Sequence, residues 1–164
     1  MLVMADPFAI LGVKPQFDLD AEGLHARFIA AVATAHPDRF SDPVDQADAA
    51  VRTAEINEAY ATLTDPERRA NALLIKLGGP AKNDDKSLPP DLLMQMMEIR
   101  EQSEQAIATD NRTELERLRC WARNQREEYL GRISKLFERR DTTAIRMELN
   151  ALRYIEQMLK QLPH

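Results

Sequence analysis

An all-α fold is what this sequence predicts, on three observations. Only five glycines occur in 164 residues. Val, Ile and Thr are scattered rather than alternating with polar residues, so no convincing strand emerges. The remaining punctuation is of the kind that starts or stops helices. Asp6-Pro7 opens a short first helix, because an Asp side chain accepts the first free backbone N–H groups and proline at the first helical position sacrifices no bond. Gly12 closes it. A second helix over 20–35 places Leu24, Phe28, Ala31, Val32 and Ala35 on one face at steps of three and four. Pro37 ends it, since the residue before a proline is pushed out of the α region. A third starts between Asp42-Pro43 and Gln46 and reaches Leu63, with Val51, Ile56, Ala59, Tyr60 and Leu63 facing inward. Asp65-Pro66 starts a fourth, which ends at Gly78-Gly79-Pro80.

The stretch 80–90 is rich in Pro, Lys, Asp and Asn without periodicity and reads as a linker. It separates a first domain, 1–79, from a second, 91–164. Three longer helical patterns follow, over 91–108, 112–139 and 143–162. Asn111 with Glu114 forms a capping box between the first two. In the last, Ile145, Leu149, Leu152, Ile155, Leu159 and Leu162 give the seam of an antiparallel bundle.

Composition excludes several classes. Hydrophobic residues make up 44% and charged residues 30%, which excludes extended disorder. The longest apolar run, 28–33, is far short of the roughly 18 residues that cross a bilayer, so no membrane partner is expected. Met1 to Asp6 read as no targeting segment, and with the single Cys120 this suggests a reducing, cytoplasmic setting. Twenty-two basic residues against 27 acidic give a net charge of −5, which argues against nucleic acid as the partner. The acidity lies in the first half: residues 1–88 carry 9 basic and 14 acidic groups, and residues 89–164 carry 13 of each.

His36-Pro37-Asp38 falls at the end of the second helix, where a proline break makes His36 and Asp38 project from an exposed loop. A short helix, a long helix, this tripeptide, and then a helix carrying Ile56-Asn57-Glu58-Ala59-Tyr60-Ala61-Thr62-Leu63 and Asp65-Pro66-Glu67-Arg68-Arg69-Ala70 follow one another in an order that resembles a J-domain, a helical hairpin with short flanking helices. The resemblance implies a co-chaperone that stimulates ATP hydrolysis by a DnaK-type chaperone. It implies that Asp38 pairs with an arginine of the chaperone while His36 and Pro37 hold the loop's shape, with Arg27 and Arg39 contributing charge. The chain itself has no Gly-rich Lys-Ser/Thr phosphate loop. J-domains commonly present Lys and Arg along the second helix. Here only Arg27 and neutral His25 lie on it, so the encounter with the chaperone is expected to be less steered and less salt-dependent.

The second half narrows the family. Leu93-Met94-Gln95-Met96-Met97-Glu98-Ile99-Arg100-Glu101, the long charged helix after it, and Leu152-Arg153-Tyr154-Ile155 resemble the C-terminal three-helix bundle of HscB-type co-chaperones, L-shaped two-domain proteins. Those proteins deliver the iron-sulfur scaffold protein IscU to the specialised chaperone HscA. The resemblance assigns scaffold binding to Leu93, Met94, Met97, Glu98, Arg100, Glu101 and Tyr154, with no enzyme activity, cofactor or metal in the chain itself. On a helix, 93, 94, 97, 100 and 101 fall along one stripe, and methionines suit a surface that adapts to its partner. Such a stripe also fits bundle packing, with Met96 and Ile99 supplying the alternative buried side.

Two rivals belong to other classes. A J-domain adaptor for an unrelated client would keep Leu93, Met94, Met97 and Tyr154 interior. A hydrolase using His36 and Asp38 would need a nucleophile and a pocket that a helix-end loop does not supply. Cys120, beside Trp121 in an amphipathic helix, reads as a small buried hydrophobe. His25 and His164 lack partners at metal-ligand spacing. The helix from Arg112 reads as a solvated face laced with ion pairs rather than a nucleic-acid stripe.

Overall fold

The computed structural model describes residues 6–162, so the targeting reading at Met1 to Ala5 and the reading of His164 lie outside it. The described residues form α1 (Pro7–Ile10), α2 (Ala21–Ala35), a 3₁₀ turn (Pro37–Arg39), α3 (Pro43–Thr64), α4 (Pro66–Lys76), α5 (Pro90–Ala108), α6 (Arg112–Arg139) and α7 (Thr142–Gln161), with no strand among them. The Asp-Pro signals at Asp6 and Asp65 act as expected, the third helix takes the earlier of its two starts, at Asp42-Pro43, and Asp20 is a further cap. Asp6 accepts from Phe8 N–H, Asp20 from Glu22 and Gly23, Asp42 from Val44, and Asp65 from Arg68. Asn111 caps α6 by accepting from Glu114 N–H at 3.1 Å. The Glu114 carboxylate turns to Arg117 instead of back to the cap, so only half of the expected box forms.

The chain folds as two compact units, one ending at Leu73 and the other beginning at Leu74. In the first, α1 and α2 both pack on α3. The α2–α3 pair is antiparallel: His25 Nδ1 lies 3.0 Å from the Tyr60 hydroxyl, Phe28 stacks on Tyr60 at 4.1 Å between centroids, and Thr53 Oγ1 donates to Ala35 O. Phe8, Leu24, Ala49, Ile56, Ala59 and Leu63 are buried. Val51, expected inside, is 61% exposed; the inward face of α3 runs through Ala49, Ile56, Ala59 and Leu63, which leaves 51 on the opposite side.

In the second unit α5, α6 and α7 form an antiparallel bundle. Gln102 meets Arg117 across α5 and α6, while Arg126–Glu156 at 3.1 Å and Arg132–Glu148 at 3.0 Å tie α6 to α7. Ile99, Ala106, Leu115, Leu118 and Leu162 form a buried cluster, with Met96, Trp121 and Met158 packed against it. The expected ion-pair lacing of α6 is present, from Arg117–Glu114 to Arg132–Glu128. Cys120 is exposed, with Sγ 3.8 Å from a Glu116 oxygen, which corrects the expectation of burial. Leu115, Leu118 and Ala122 carry the buried face of α6 and position 120 lies outside it.

The boundary between the units falls within α4, not at Gly79. A Cβ on Gly79 would collide with the Leu74 side chain and come within 3.1 Å of Thr142. Fully buried Leu74 therefore belongs with the start of α7. The stretch 80–90, read as a linker, is not free chain. Arg146, 1% exposed, donates from Nε to Pro80 O at 3.1 Å. Asn150, also buried, donates from Nδ2 to Asp85 O and Ser87 O at 3.0 Å each. Ser87, through its side chain and backbone N–H, holds the Asp85 carboxyl below its usual range, and the Arg146 charge adds to this. Arg146→Ala is expected to cost about 3 kcal/mol, because it strands a carbonyl and opens a cavity in one step. Arg146→Met, which refills the space, should lose less; urea unfolding of the two variants measures the difference.

Candidate functional site

Two separate surfaces carry the sequence-predicted residues. The first is the turn after α2. The last carbonyls of a helix have no partner within it, and here the flanking chain provides one: Arg39 Nη1 donates to Ala33 O at 3.0 Å and Thr53 Oγ1 to Ala35 O at 3.0 Å. A cation at this end also complements the helix dipole. His36 leaves the helix with extended backbone, and its Nδ1 accepts from Asp38 N–H at 3.3 Å. That bond places the neutral ring's proton on Nε2. Pro37 starts the 3₁₀ turn, closed by Phe40 N–H to Pro37 O at 3.0 Å. The Asp38 carboxylate, 3.6 Å from His36 Nδ1, is 89% exposed. The turn is thus pinned from both sides while its carboxylate stands in solvent, a geometry suited to an incoming cation.

Arg27 and Arg39 stand differently from Asp38. Arg27 Nη1 donates to Gly12 O at 2.8 Å, and Gly12 has φ +61°, a left-handed conformation that orients this carbonyl at the end of α1. Arg39 is tied to Ala33 O. Both side chains remain exposed, but each is anchored to its own domain's backbone. The helical turn at 37–39 was not expected from the sequence, where proline reads only as a stop.

The second surface lies on α5. Successive helical residues advance by about 100°, which puts Leu92, Ile99 and Ala106 on one side, and these are buried. Leu93, Met97, Arg100 and Glu101 point away from that side, flanked by Met94 and Glu98, and all six are exposed. Met94 and Met97 are 70% and 74% exposed and Leu93 is 52% exposed, which removes the reading in which they fill the bundle. Met96 and Ile99 supply the buried contacts instead. Arg100 pairs with Glu104 one turn on, at 2.9 Å. Tyr154 lies on α7 and is 47% exposed, while its neighbours Leu152 and Ile155 are fully buried. Sequence reasoning passed over Glu104 and the exposed Ile107, which continue the α5 side. Their positions, four and seven after Arg100, were the signal that could have found them.

Among the described residues no group of three or more His, Cys, Asp or Glu could hold a metal ion, and no helix is long and apolar enough to cross a membrane.

Residues 6–72 match the family model of the DnaJ domain, and residues 88–162 match that of the HSCB C-terminal oligomerisation domain. A co-chaperone protein HscB homolog from Neisseria gonorrhoeae is 31% identical over 159 residues, spanning 94% of this chain and 95% of that protein. One from Burkholderia thailandensis is 33% identical over 154 residues, 92% of this chain and 88% of its own. The chaperone HscB from Vibrio cholerae superimposes with a TM-score of 0.83 at 29% identity, over 96% of this chain and 94% of that one. Human co-chaperone protein HscB superimposes with a TM-score of 0.85 at 23% identity, over 96% and 80%, and bears on the fold alone. A DnaJ domain bearing an exposed His36-Pro37-Asp38 turn, followed by an HscB C-terminal bundle, with relatives aligned over nearly their whole length, makes the assignment: the chain belongs to the HscB-type J-domain co-chaperones of iron-sulfur cluster assembly, whose partner is a DnaK-type chaperone.

Proposed function

We propose that this protein binds the scaffold protein IscU on the exposed side of α5 and delivers it, in the cytoplasm, to an HscA-type chaperone whose ATPase it stimulates through the turn at His36 to Asp38. The exposure of Leu93, Met94 and Met97 carries the scaffold half of this reading, since large apolar side chains grouped in solvent mark an interaction surface rather than a core. Glu98, Arg100 and Glu101 border them as a polar rim, the composition of a reversible protein–protein contact. Tyr154 adds an aromatic contact from α7. On the chaperone side, the Asp38 carboxylate meets an arginine while His36 and Pro37 keep the turn in shape. Arg27 and Arg39 contribute positive potential without leaving their anchors.

Coupling follows from having both surfaces on one chain. The scaffold protein is held near the chaperone at an effective concentration above its bulk value, while the turn promotes hydrolysis and capture. The iron-sulfur cluster is cargo of this process, and the chain performs no chemistry of its own. An adaptor for an unrelated client would call for the same α5 residues inside the bundle, contrary to their exposure.

Steady-state ATP hydrolysis by HscA, with this protein and IscU added singly and together, tests the reading. Stimulation by the pair well above the sum of the two alone supports it. Stimulation indifferent to IscU would remove the scaffold half, and no stimulation would remove both.

A further inference from the structure

The fold sorts the methionines of the described residues into two kinds. Met96, Met147 and Met158 are half-buried, and Met96 and Met158 pack against the buried cluster of the second unit. Met94 and Met97 are 70% and 74% exposed, above every other large apolar side chain among the described residues. They stand three residues apart on α5, so their thioethers share one turn of its open side.

A thioether differs from the other apolar side chains in being oxidisable. Hydrogen peroxide meets an exposed methionine sulfur directly: the sulfur donates an electron pair to one peroxide oxygen, the S–O bond forms as the O–O bond breaks, and the proton on the transferred oxygen passes to the departing hydroxide, which leaves as water. Methionine is oxidised to its sulfoxide and peroxide is reduced to water. The reaction turns a flexible apolar group into a polar one. Free in solution, a sulfoxide at 94 or 97 keeps its oxygen in water and disturbs no packing. Covered by a partner that reads the patch as apolar, the same oxygen loses its water and costs free energy. Leu93, in the same patch, offers an apolar contact with no such chemistry.

We propose that Met94 and Met97 are a peroxide-modification site that closes the scaffold surface. Oxidation stops the binding of IscU and leaves the chaperone turn in working order, because His36-Pro37-Asp38 contains no sulfur. The two stereospecific methionine sulfoxide reductases, one for each epimer, reopen the surface. The proposal rests on the reading of α5 as the scaffold surface and adds its regulation.

The native chain is treated with hydrogen peroxide, freed of it, incubated with dithiothreitol, and compared with untreated protein. Peptide mass spectrometry is expected to find Met94 and Met97 oxidised about tenfold faster than Met96, Met147 and Met158, in line with their exposure. Calorimetric titration should show the Kd for IscU raised about tenfold or more, with the melting temperature unchanged. Stimulation of HscA by the oxidised chain alone should persist while the enhancement by IscU disappears, and treatment with both reductases should restore it. Met94→Leu combined with Met97→Leu is read only as the ratio of its Kd after and before peroxide, expected to be near one. A ratio as large as that of the native chain overturns the proposal and moves the effect to another sulfur, such as the exposed Cys120. A variant that binds too weakly to give a ratio leaves the decision to the reductases: native chain freed of sulfoxide that fails to regain affinity overturns the proposal. A melting temperature that falls with the affinity also overturns it, since the oxidation would then be damage to the bundle. Unchanged affinity with both residues oxidised overturns the proposal alone and leaves α5 as the scaffold surface. Failure of the untreated chain to bind IscU overturns that reading and the proposal together.

Discussion

Replacing Leu93, Met94 and Met97 together by alanine is expected to weaken binding of IscU by about a hundredfold or more while leaving thermal stability unchanged. Few residues carry most of an interface's energy, and a large apolar side chain truncated at its centre costs about 1–2 kcal/mol. Three such truncations give about 3–6 kcal/mol, which is between two and four orders of magnitude in Kd. The fold should not register the change. The three side chains are 52%, 70% and 74% exposed, so alanine leaves no cavity, and alanine favours helix at all three positions. Leu92 and Ile99 on the opposite side remain to pack the bundle. Calorimetric titration of IscU into the variant, with a melting curve alongside, gives both readouts. Unchanged affinity in a folded variant would exclude this side of α5 as the binding surface.

Asp38→Asn is expected to reduce stimulation of the chaperone's ATPase by about thirtyfold or more, again without loss of fold. A carboxylate paired with an arginine in a desolvated interface contributes several kcal/mol, because its removal leaves the arginine buried without a countercharge. Asparagine keeps the size of the side chain and the backbone N–H that donates to His36 Nδ1. The turn itself, closed by Phe40 and held by Arg39 and Thr53, loses nothing. At 89% exposure the carboxylate has no internal role to forfeit, so stability should stay within about 0.5 kcal/mol. Binding of IscU by the same variant should equal that of the native chain, because α5 is untouched. A variant that still stimulates fully would show that Asp38 is not the contact.

Local chemistry made most of the fold legible. Asp6 and Asp65 cap the helices they were expected to cap, and Asp20 and Asp42, read only as marking helix starts, cap in the same way, since an Asp side chain reaches only the next two or three N–H groups and its effect is readable within a few residues. The misses concern what lies far along the chain. Arg146 and Asn150 interrupt the apolar seam of α7, and their partners are more than sixty residues away at Pro80, Asp85 and Ser87. No periodicity in 80–90 could announce that its carbonyls are held by another helix. Val51 fell the wrong way because α3 carries alanine on both sides while its two valines, Val44 and Val51, both face outward, so hydrophobicity alone did not choose its inward face. Cys120 failed for a similar reason: its type favours burial, but its register on α6 does not. On the candidate surfaces, the tripeptide and the Leu-Met stripe were legible as patterns. The separation of α5 into a packed and an open side required the structure, because Met96 and Met97 are chemically the same residue and differ only in direction.

The chain's single tryptophan, Trp121, sits against the buried cluster of the second unit, and the first unit contains none. Intrinsic fluorescence is therefore a built-in probe of one half of the molecule, blind to the half that carries His36-Pro37-Asp38. Circular dichroism, by contrast, sums the helices of both. Superposition of the dichroism and fluorescence melting curves would mean one cooperative transition for the whole chain, and any gap between them would measure how independently the two units hold together.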